Sequence, residues 1–465
     1  YCAEISKEGI LFLADTQNVW RVEDGILQKV FNFPENGYII REMYGMEAGE
    51  EGEILFLVKM DGHLTLLNMK EIERPQERQE VVIAFTMQHW GLKQSIARFN
   101  RQNQAYQISI MLPNEGEDTA TYLKRVQMEM SAGRGPDILG HDMVENLSAF
   151  VENGYLLCMD DLIDDPSQYL QSALDSAKID GKLYGIPYDC AFDVVAYAKS
   201  EAEISSYTLP ELMQVVKDSD VEILQEGMSG ISIVMKYALY DNSNTVYIDW
   251  EKGESYLTEQ PFIELLAFAR EYADVGNQEA SAYARNLTTS FDRLRKLKDT
   301  FAYFNGEAVI LGYSRQEGNG IYVNSRELYL SANSECKDGA KEFLRFLISE
   351  EEQQRYAVYD ISDELRYGEA SSVSGHNIQF PVSLKAFDAL VEYELKKDKE
   401  NIIYTDSGMF QTQVLYTDEM IEQFYFMLEH AEADDYHVAD ISTLFYEELA
   451  PYFEGEVTAE EAVKK

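Results

Sequence analysis

The side chains best suited to recognising a small polar molecule follow two predicted strand ends. Gln88-His89-Trp90 comes after the apolar run Val81-Val82-Ile83-Ala84-Phe85, and Gly140-His141-Asp142 comes after Pro136-Asp137-Ile138-Leu139. An indole face stacks on the apolar face of a sugar ring while an amide binds hydroxyls, so Trp90 with Gln88 suits a saccharide. The competing role for Trp90 is a buried anchor for the helix that starts near Leu92. Asp142 is expected either to accept hydrogen bonds from ligand hydroxyls or to cap a helix; Asp137 is expected to hold its own turn. His89 is not expected to ligate a metal, because no second His or Cys lies near it in sequence, and no metal or cofactor is expected elsewhere.

Other chemistries leave no trace. G-x-S-x-G, H-E-x-x-H and G-x-x-x-x-G-K-[ST] are all missing, and the seven-residue separation of His430 and His437 is poor metal spacing on a helix. Carboxylate pairs abound, but without geometry they do not specify glycosidase chemistry. With 83 Asp+Glu against 39 Lys+Arg, the formal charge of -44 repels phosphate backbones and anionic bilayers, which argues against nucleic acid as a partner. The four cysteines are scattered without C-x-x-C, so burial of each is expected rather than a metal knot. No run of about eighteen apolar residues occurs, and the first residues lack a signal-peptide pattern.

The 465 residues exceed one ordinary core, so two or three domains are expected. Residues 1–74 read as a β-rich module. Ile10-Leu11-Phe12-Leu13 is echoed 44 residues later by Ile54-Leu55-Phe56-Leu57, a period that suits a propeller-blade-like unit. The charged stretch Glu71 to Glu80, with Pro75, reads as a linker, set at 75–80. Beyond it the unbroken Val81–Phe85 run predicts a strand buried on both faces. Leu92, Ile96 and Phe99 predict a helix, Gln107–Met111 a strand, Tyr122, Val126 and Met130 a second helix, and Pro136–Leu139 a third strand. That alternation predicts a parallel sheet covered by helices. Ala340, Phe343, Leu344 and Leu347 predict an amphipathic helix, and 384–397 and 417–432 two more.

Several landmarks, in order, resemble the family 1 extracellular solute-binding proteins of ABC importers, the group that includes the maltose-binding protein. Val81 to Asn100 resembles the first strand, ligand loop and helix, with Phe99-Asn100-Arg101 departing from the usual phenylalanine-acid-lysine. Ala132 to Ile138 resembles the glycine-proline-aspartate turn, and Asn153-Gly154-Tyr155-Leu156 with Met159-Asp160-Asp161 the segment of paired aspartates. Tyr184 to Tyr188 with Val195-Ala196-Tyr197-Ala198-Lys199 resembles the first crossover between lobes, Ala198 replacing the usual asparagine. Phe304 to Ile310, Ala340 to Ile348 and Glu447 to Lys464 resemble a later strand, a later helix and the C-terminal helix pair.

This resemblance implies a two-lobed α/β fold of the periplasmic-binding-protein type, with hinge crossovers, behind the β-rich module. Lobe 1 would comprise 81–190 and 326–375, lobe 2 191–325 and 376–465. It implies capture of a small solute, an oligosaccharide in the first instance, by hinge closure and delivery to an ABC permease; a monomer; no catalysis; and an extracellular or cell-surface location, anchored through a segment ahead of Tyr1. Tyr188 and Asp189, at the crossover, are then expected to touch the solute, and Tyr313, after Gly312, to offer a stacking platform in the second lobe. Trp250 is a further candidate, although Tyr247-Ile248-Asp249-Trp250 reads equally as a core-packing strand. A sensor or scaffold using the β-rich module to bind protein, and a secreted carbohydrate-active enzyme, are the competing readings.

Overall fold

The computed structural model describes residues 1–7, 9–23, 25–49, 53–60, 63–70, 78–87, 89–144, 146–198, 208–218, 229–235, 237, 247–249, 252–272, 283–288, 308–310, 312–314, 319–357, 380–397, 402–404, 410–412, 418–433 and 436–464. Among them no helix is long and apolar enough to cross a membrane. Of the expected linker at 75–80, residues 75–77 lie outside them, and Gln79 and Glu80 already belong to a strand rather than to a linker.

The amino-terminal module is two antiparallel meanders. Strands β1 (Cys2–Ile5), β2 (Leu11–Ala14), β3 (Asn18–Glu23) and β4 (Ile26–Asn32) form one sheet, and β5 (Glu42–Ala48), β6 (Ile54–Met60) and β7 (His63–Met69) the other. The sequence echo therefore superposes β2 on β6 and β3 on β7, the expected blade-like repetition. The two sheets share one core, in which Phe12, Val19, Phe33, Phe56 and Val58 are buried.

This module is fastened to the α/β part of the chain. A turn at Pro34–Asn36 ends on Gly37, whose φ of +80° favours glycine. A Cβ there would stand 2.4 Å from the carbonyl oxygen of Ala97. Arg101 donates to the Gly37 carbonyl at 3.0 Å and lies over the Tyr38 ring, 5.5 Å from its centroid. Gly37→Ala is thus expected to loosen the module by at least about 1 kcal/mol, read as faster amide exchange in β2 and β6 with β8 and its neighbours unchanged.

The remainder is built on one long sheet. Strand β8 (Gln79–Ala84) pairs in parallel with β9 (Tyr106–Met111) on one side and β10 (Ile138–Gly140) on the other. Helix α1 (Trp90–Gln102) joins β8 to β9, and α2 (Thr119–Ser131) joins β9 to β10. The predicted order and types hold: Val81 and Ile83 are fully buried, Leu92, Ile96 and Phe99 pack beneath them, and Tyr122, Val126 and Met130 cover the opposite face. Asp118 caps α2 by accepting from the Thr121 amide at 2.9 Å.

The parallel order expected for these three strands holds, and beyond β10 the sheet continues with antiparallel strands. The next strand in the sheet is Asn319–Leu330, antiparallel to β10, and beside it runs Gly185–Ala198, also antiparallel. These are 12 and 14 residues long. They form a ribbon between two cores rather than another strand-helix-strand unit, so they need no crossover helix between them. Leu328 and Leu330 lie in the core with Val81 and Ile83, whereas Tyr322 joins a second core with Leu209, Phe262, Leu265, Tyr313, Phe445 and Leu449. Between the two, Cys190, Phe192, Ile321, Val323, Phe380 and Phe387 make a middle core on the ribbon.

Buried polar side chains lock these layers together. Asp137 accepts from the Val82 amide at 2.9 Å and from Ser334 Oγ at 2.6 Å, holding its turn as expected and also tying β8 to the segment after the return strand. Gln353 donates to the Tyr188 carbonyl and accepts from the Val382 amide at 3.0 Å, stitching the ribbon to the Leu384–Lys397 helix. Arg98 on α1 grips Glu352 through both carboxylate oxygens. Burial expected for every cysteine holds for Cys190; Cys2, Cys158 and Cys336 are partly exposed.

Candidate functional site

Because Ala84 pairs with Leu139 in parallel register, the loops after β8 and β10 leave the sheet side by side at its carboxyl edge. This edge is where open α/β sheets bind ligands. The first loop runs from Phe85 to His89 into α1, and the second is a tight turn at His141–Met143. Gly140 is required between them, since a Cβ there would overlap the Phe85 ring at 2.0 Å.

Asp142 is the centre of the loops. Its Oδ2 accepts from the Thr86 amide at 2.9 Å and from Thr86 Oγ1, and His89 Nε2 lies 3.5 Å away. It does not cap the following helix; Asn146 does, accepting from the Ala149 amide at 2.7 Å. Burial pushes its carboxyl up, but the hydrogen bonds from His89 and Thr86 outweigh this and hold it below the ordinary range. The His89 and His141 rings meet edge to face with centroids 4.8 Å apart, and His89 also packs on Phe85 at 4.6 Å. Burial, with His89 and Arg326 nearby, drives the pKa of His141 far down, so its imidazole is neutral.

Two atoms of this cluster, His141 Nδ1 and Asp142 Oδ1, are buried without a hydrogen-bond partner in the described structure. Three potential metal donors, one each from His89, His141 and Asp142, lie within 4.8 Å of one another. Distance along the chain hides this group: His141 is 52 residues from His89, and only the strand register unites them. A search for neighbours of His89 along the sequence misses that register, and it misses His141 beside Asp142. A histidine directly after a predicted strand end, matching one at the neighbouring strand end, was the available signal.

Of the other expected contacts, only Tyr188, Asp189 and Tyr313 have described side chains. Gln88 and Trp250 fall outside the described residues, and of Trp90 only the backbone is described, at the start of α1. Tyr188 and Asp189 have no exposed surface. Tyr188 sits in the first core under the Arg326 guanidinium, 5.4 Å from its ring centroid, and burial pushes its phenol well up. Asp189 is clasped by Arg326, whose Nε donates to Oδ1 at 2.6 Å and whose Nη2 donates to Oδ2. Tyr313 is buried against Tyr237 and Tyr322 and donates its hydroxyl to Asp193 at 2.8 Å. In this conformation these three residues pack the ribbon and its flanks, and a solute reaches them only if that packing changes.

A long antiparallel ribbon joining separate cores, with paired loops at the carboxyl edge of a parallel sheet, defines a two-lobed binding protein. The chain belongs to the bacterial extracellular solute-binding proteins, whose family model matches residues 94–362, more than half of its length. Solved structures of the same fold include the ABC substrate-binding protein Lmo0181 from Listeria monocytogenes in complex with cycloalternan, 15% identical with a TM-score of 0.53 over 83% of this chain and 97% of that one. The GacH receptor of Streptomyces glaucescens, solved unliganded and with acarbose, is 13% identical with a TM-score of 0.51 over 84% and 96%. The sugar-binding protein MalE from Xanthomonas citri is 15% identical with a TM-score of 0.52 over 83% and 95%. No curated protein matches the chain in sequence.

Proposed function

We propose that this protein captures an oligosaccharide at the cell surface by closing its two lobes around it and hands it to an ABC import permease without breaking a bond. The observation that carries the reading is the pair of loops, Phe85–His89 and His141–Met143, brought together beside the ribbon at the carboxyl edge of the sheet. Family membership supports solute capture, and the sugars in the related structures support the solute class. In this reading Gln88, Trp90 and Asp142 line the first lobe's wall and Trp250 belongs to the second. Tyr188, Asp189 and Tyr313 set the geometry of the hinge from their buried positions. Lobe 1 is drawn from 81–190 and 326–375 and lobe 2 from 191–325 and 376–465, with a lipid or other anchor holding the protein at the membrane. Solute favours the closed form because only there do both lobes contact it.

A thermal-shift screen of maltodextrins, other oligosaccharides, polyols and peptides tests this. A ligand at 100 times its Kd is expected to add about 2.7 kcal/mol to the folded state. Trp90→Ala is expected to weaken saccharide binding by at least tenfold, the loss of about one aromatic stacking contact. A response to peptides alone would remove the sugar reading while leaving the fold, and unchanged saccharide affinity in Trp90→Ala would remove the stacking role of Trp90 while leaving the sugar reading.

A second reading is favoured by one contact: the β-rich module grips the carboxyl-terminal end of α1, the helix whose first residue is Trp90. A sensor that relays solute binding to a protein on the module would use that helix. Deleting 1–74 would leave solute affinity unchanged if the module is an accessory.

A further inference from the structure

We propose that His89, His141 and Asp142 form a binding site for one divalent first-row transition-metal ion, with Zn2+ the best fit, at the carboxyl ends of β8 and β10. Two imidazoles and a carboxylate are a donor set such ions favour, and Mg2+ and Ca2+ prefer oxygen alone. The candidate donor atoms already lie within 4.8 Å of one another. Donors bound at about 2.1 Å in a tetrahedron stand about 3.4 Å apart, so small ring rotations close the set.

Three further features fit an ion. His141 Nδ1 and Asp142 Oδ1 are buried and unpartnered in the described structure, one a potential nitrogen donor and the other a carboxylate oxygen. Burial is costly for such atoms unless something binds them. The second oxygen of Asp142 is held by the Thr86 amide and hydroxyl, the outer hydrogen bonding that orients a carboxylate ligand and leaves Oδ1 free, while the long 3.5 Å contact of His89 Nε2 with that oxygen would be exchanged for the ion. The Phe85 ring packs on His89 at 4.6 Å and, edge on, against His141 at 6.4 Å, which restricts both imidazoles and shields them from water.

Three protein donors leave a tetrahedral ion one position for a solvent or solute oxygen. The site stands whatever solute the cleft takes, and metal binding is measured without any sugar present. The full chain is stripped with a chelator, dialysed, and titrated with ZnCl2 by calorimetry; Co2+ titration followed by visible absorption reports nitrogen donors and coordination number independently. The wild-type chain is expected to bind one Zn2+ per molecule. His89→Ala, His141→Ala and Asp142→Asn are each expected to weaken it more than tenfold, and Thr86→Val, which keeps all three donors, by about tenfold. His430→Ala, far along the chain, is expected to bind as the parent does.

Circular dichroism of the metal-free variants separates lost ligands from lost folding, and Asp142→Asn, the closest in shape, serves if an alanine variant does not fold. Equal Zn2+ affinity in the wild type and a His89→Ala/His141→Ala double variant would overturn the proposal, as would a Co2+ spectrum of purely octahedral oxygen ligation. A saccharide-induced thermal shift that persists in chelator, together with no Zn2+ binding, would assign the two unpartnered atoms to solute hydroxyls instead and leave the transport reading intact.

Discussion

Asp189→Ala is expected to destabilise the protein by about 3–5 kcal/mol, the range found when one partner of a buried ion pair is removed. Asp189 is fully buried, and it stands directly opposite Arg326 in the register of the ribbon. Both carboxylate oxygens are taken by the guanidinium. Deleting the carboxylate leaves the Arg326 cation in a buried place against the face of Tyr188, without the carboxylate that offsets its desolvation. The double substitution Asp189→Leu/Arg326→Met removes both charges at similar volume and is expected to recover most of the loss. Urea unfolding followed by circular dichroism measures both. If Asp189→Ala alters solute affinity but not the unfolding midpoint, Asp189 is a cleft contact and its role in the ribbon is misassigned.

Much of the fold was legible because local pattern and burial agree. The Val81–Phe85 run, the helical spacing of Leu92, Ile96 and Phe99, and the stripe of Ala340, Phe343, Leu344 and Leu347 each report one element with one buried face. The 44-residue echo likewise reports the repeated meander of the amino-terminal module. What was hidden depends on pairing across long stretches of chain. Nothing near Arg98 indicates Glu352, 254 residues away, and nothing near Asp189 indicates Arg326, 137 residues away. The same limit explains the site. Asp142 was legible as a polar residue after a strand, but its bond to Thr86 and its nearness to His89 follow from the register of β8 against β10. Tyr313 was legible as an aromatic at a strand end, whereas its hydroxyl's partner, Asp193, lies on the other crossing strand.

Glu327 is expected to make stability fall as pH rises. It sits on the return strand, 3% exposed, where Ser176, Ser325 and Tyr329 all donate to its carboxyl group. Burial dominates over those hydrogen bonds, and the charge of Asp189 adds to it, raising the pKa from 4.5 to about 7. Between those values the native state holds a proton that the unfolded chain has released. The contribution is therefore complete below about pH 4.5 and lost as pH rises through about 7, a total of about 3 kcal/mol. Glu327→Gln keeps the shape and removes the titration, and the hydroxyls of Ser176 and Ser325 can turn to accept from its amide. Its stability is expected to be flat across this window where the parent declines, making it the more stable of the two at pH 8. Parallel curves of unfolding free energy against pH for parent and variant would assign the decline to another group. Because Glu327 follows Arg326 and lies across the ribbon from Pro187, ionising it charges the strand pair that joins the lobes. The opening of the ribbon is then easier with the carboxylate ionised than with it neutral, and, once the base-catalysed rise in intrinsic exchange is divided out, solute-free hydrogen-exchange protection at Val323 and Leu328 should fall above pH 7 in the parent and not in Glu327→Gln.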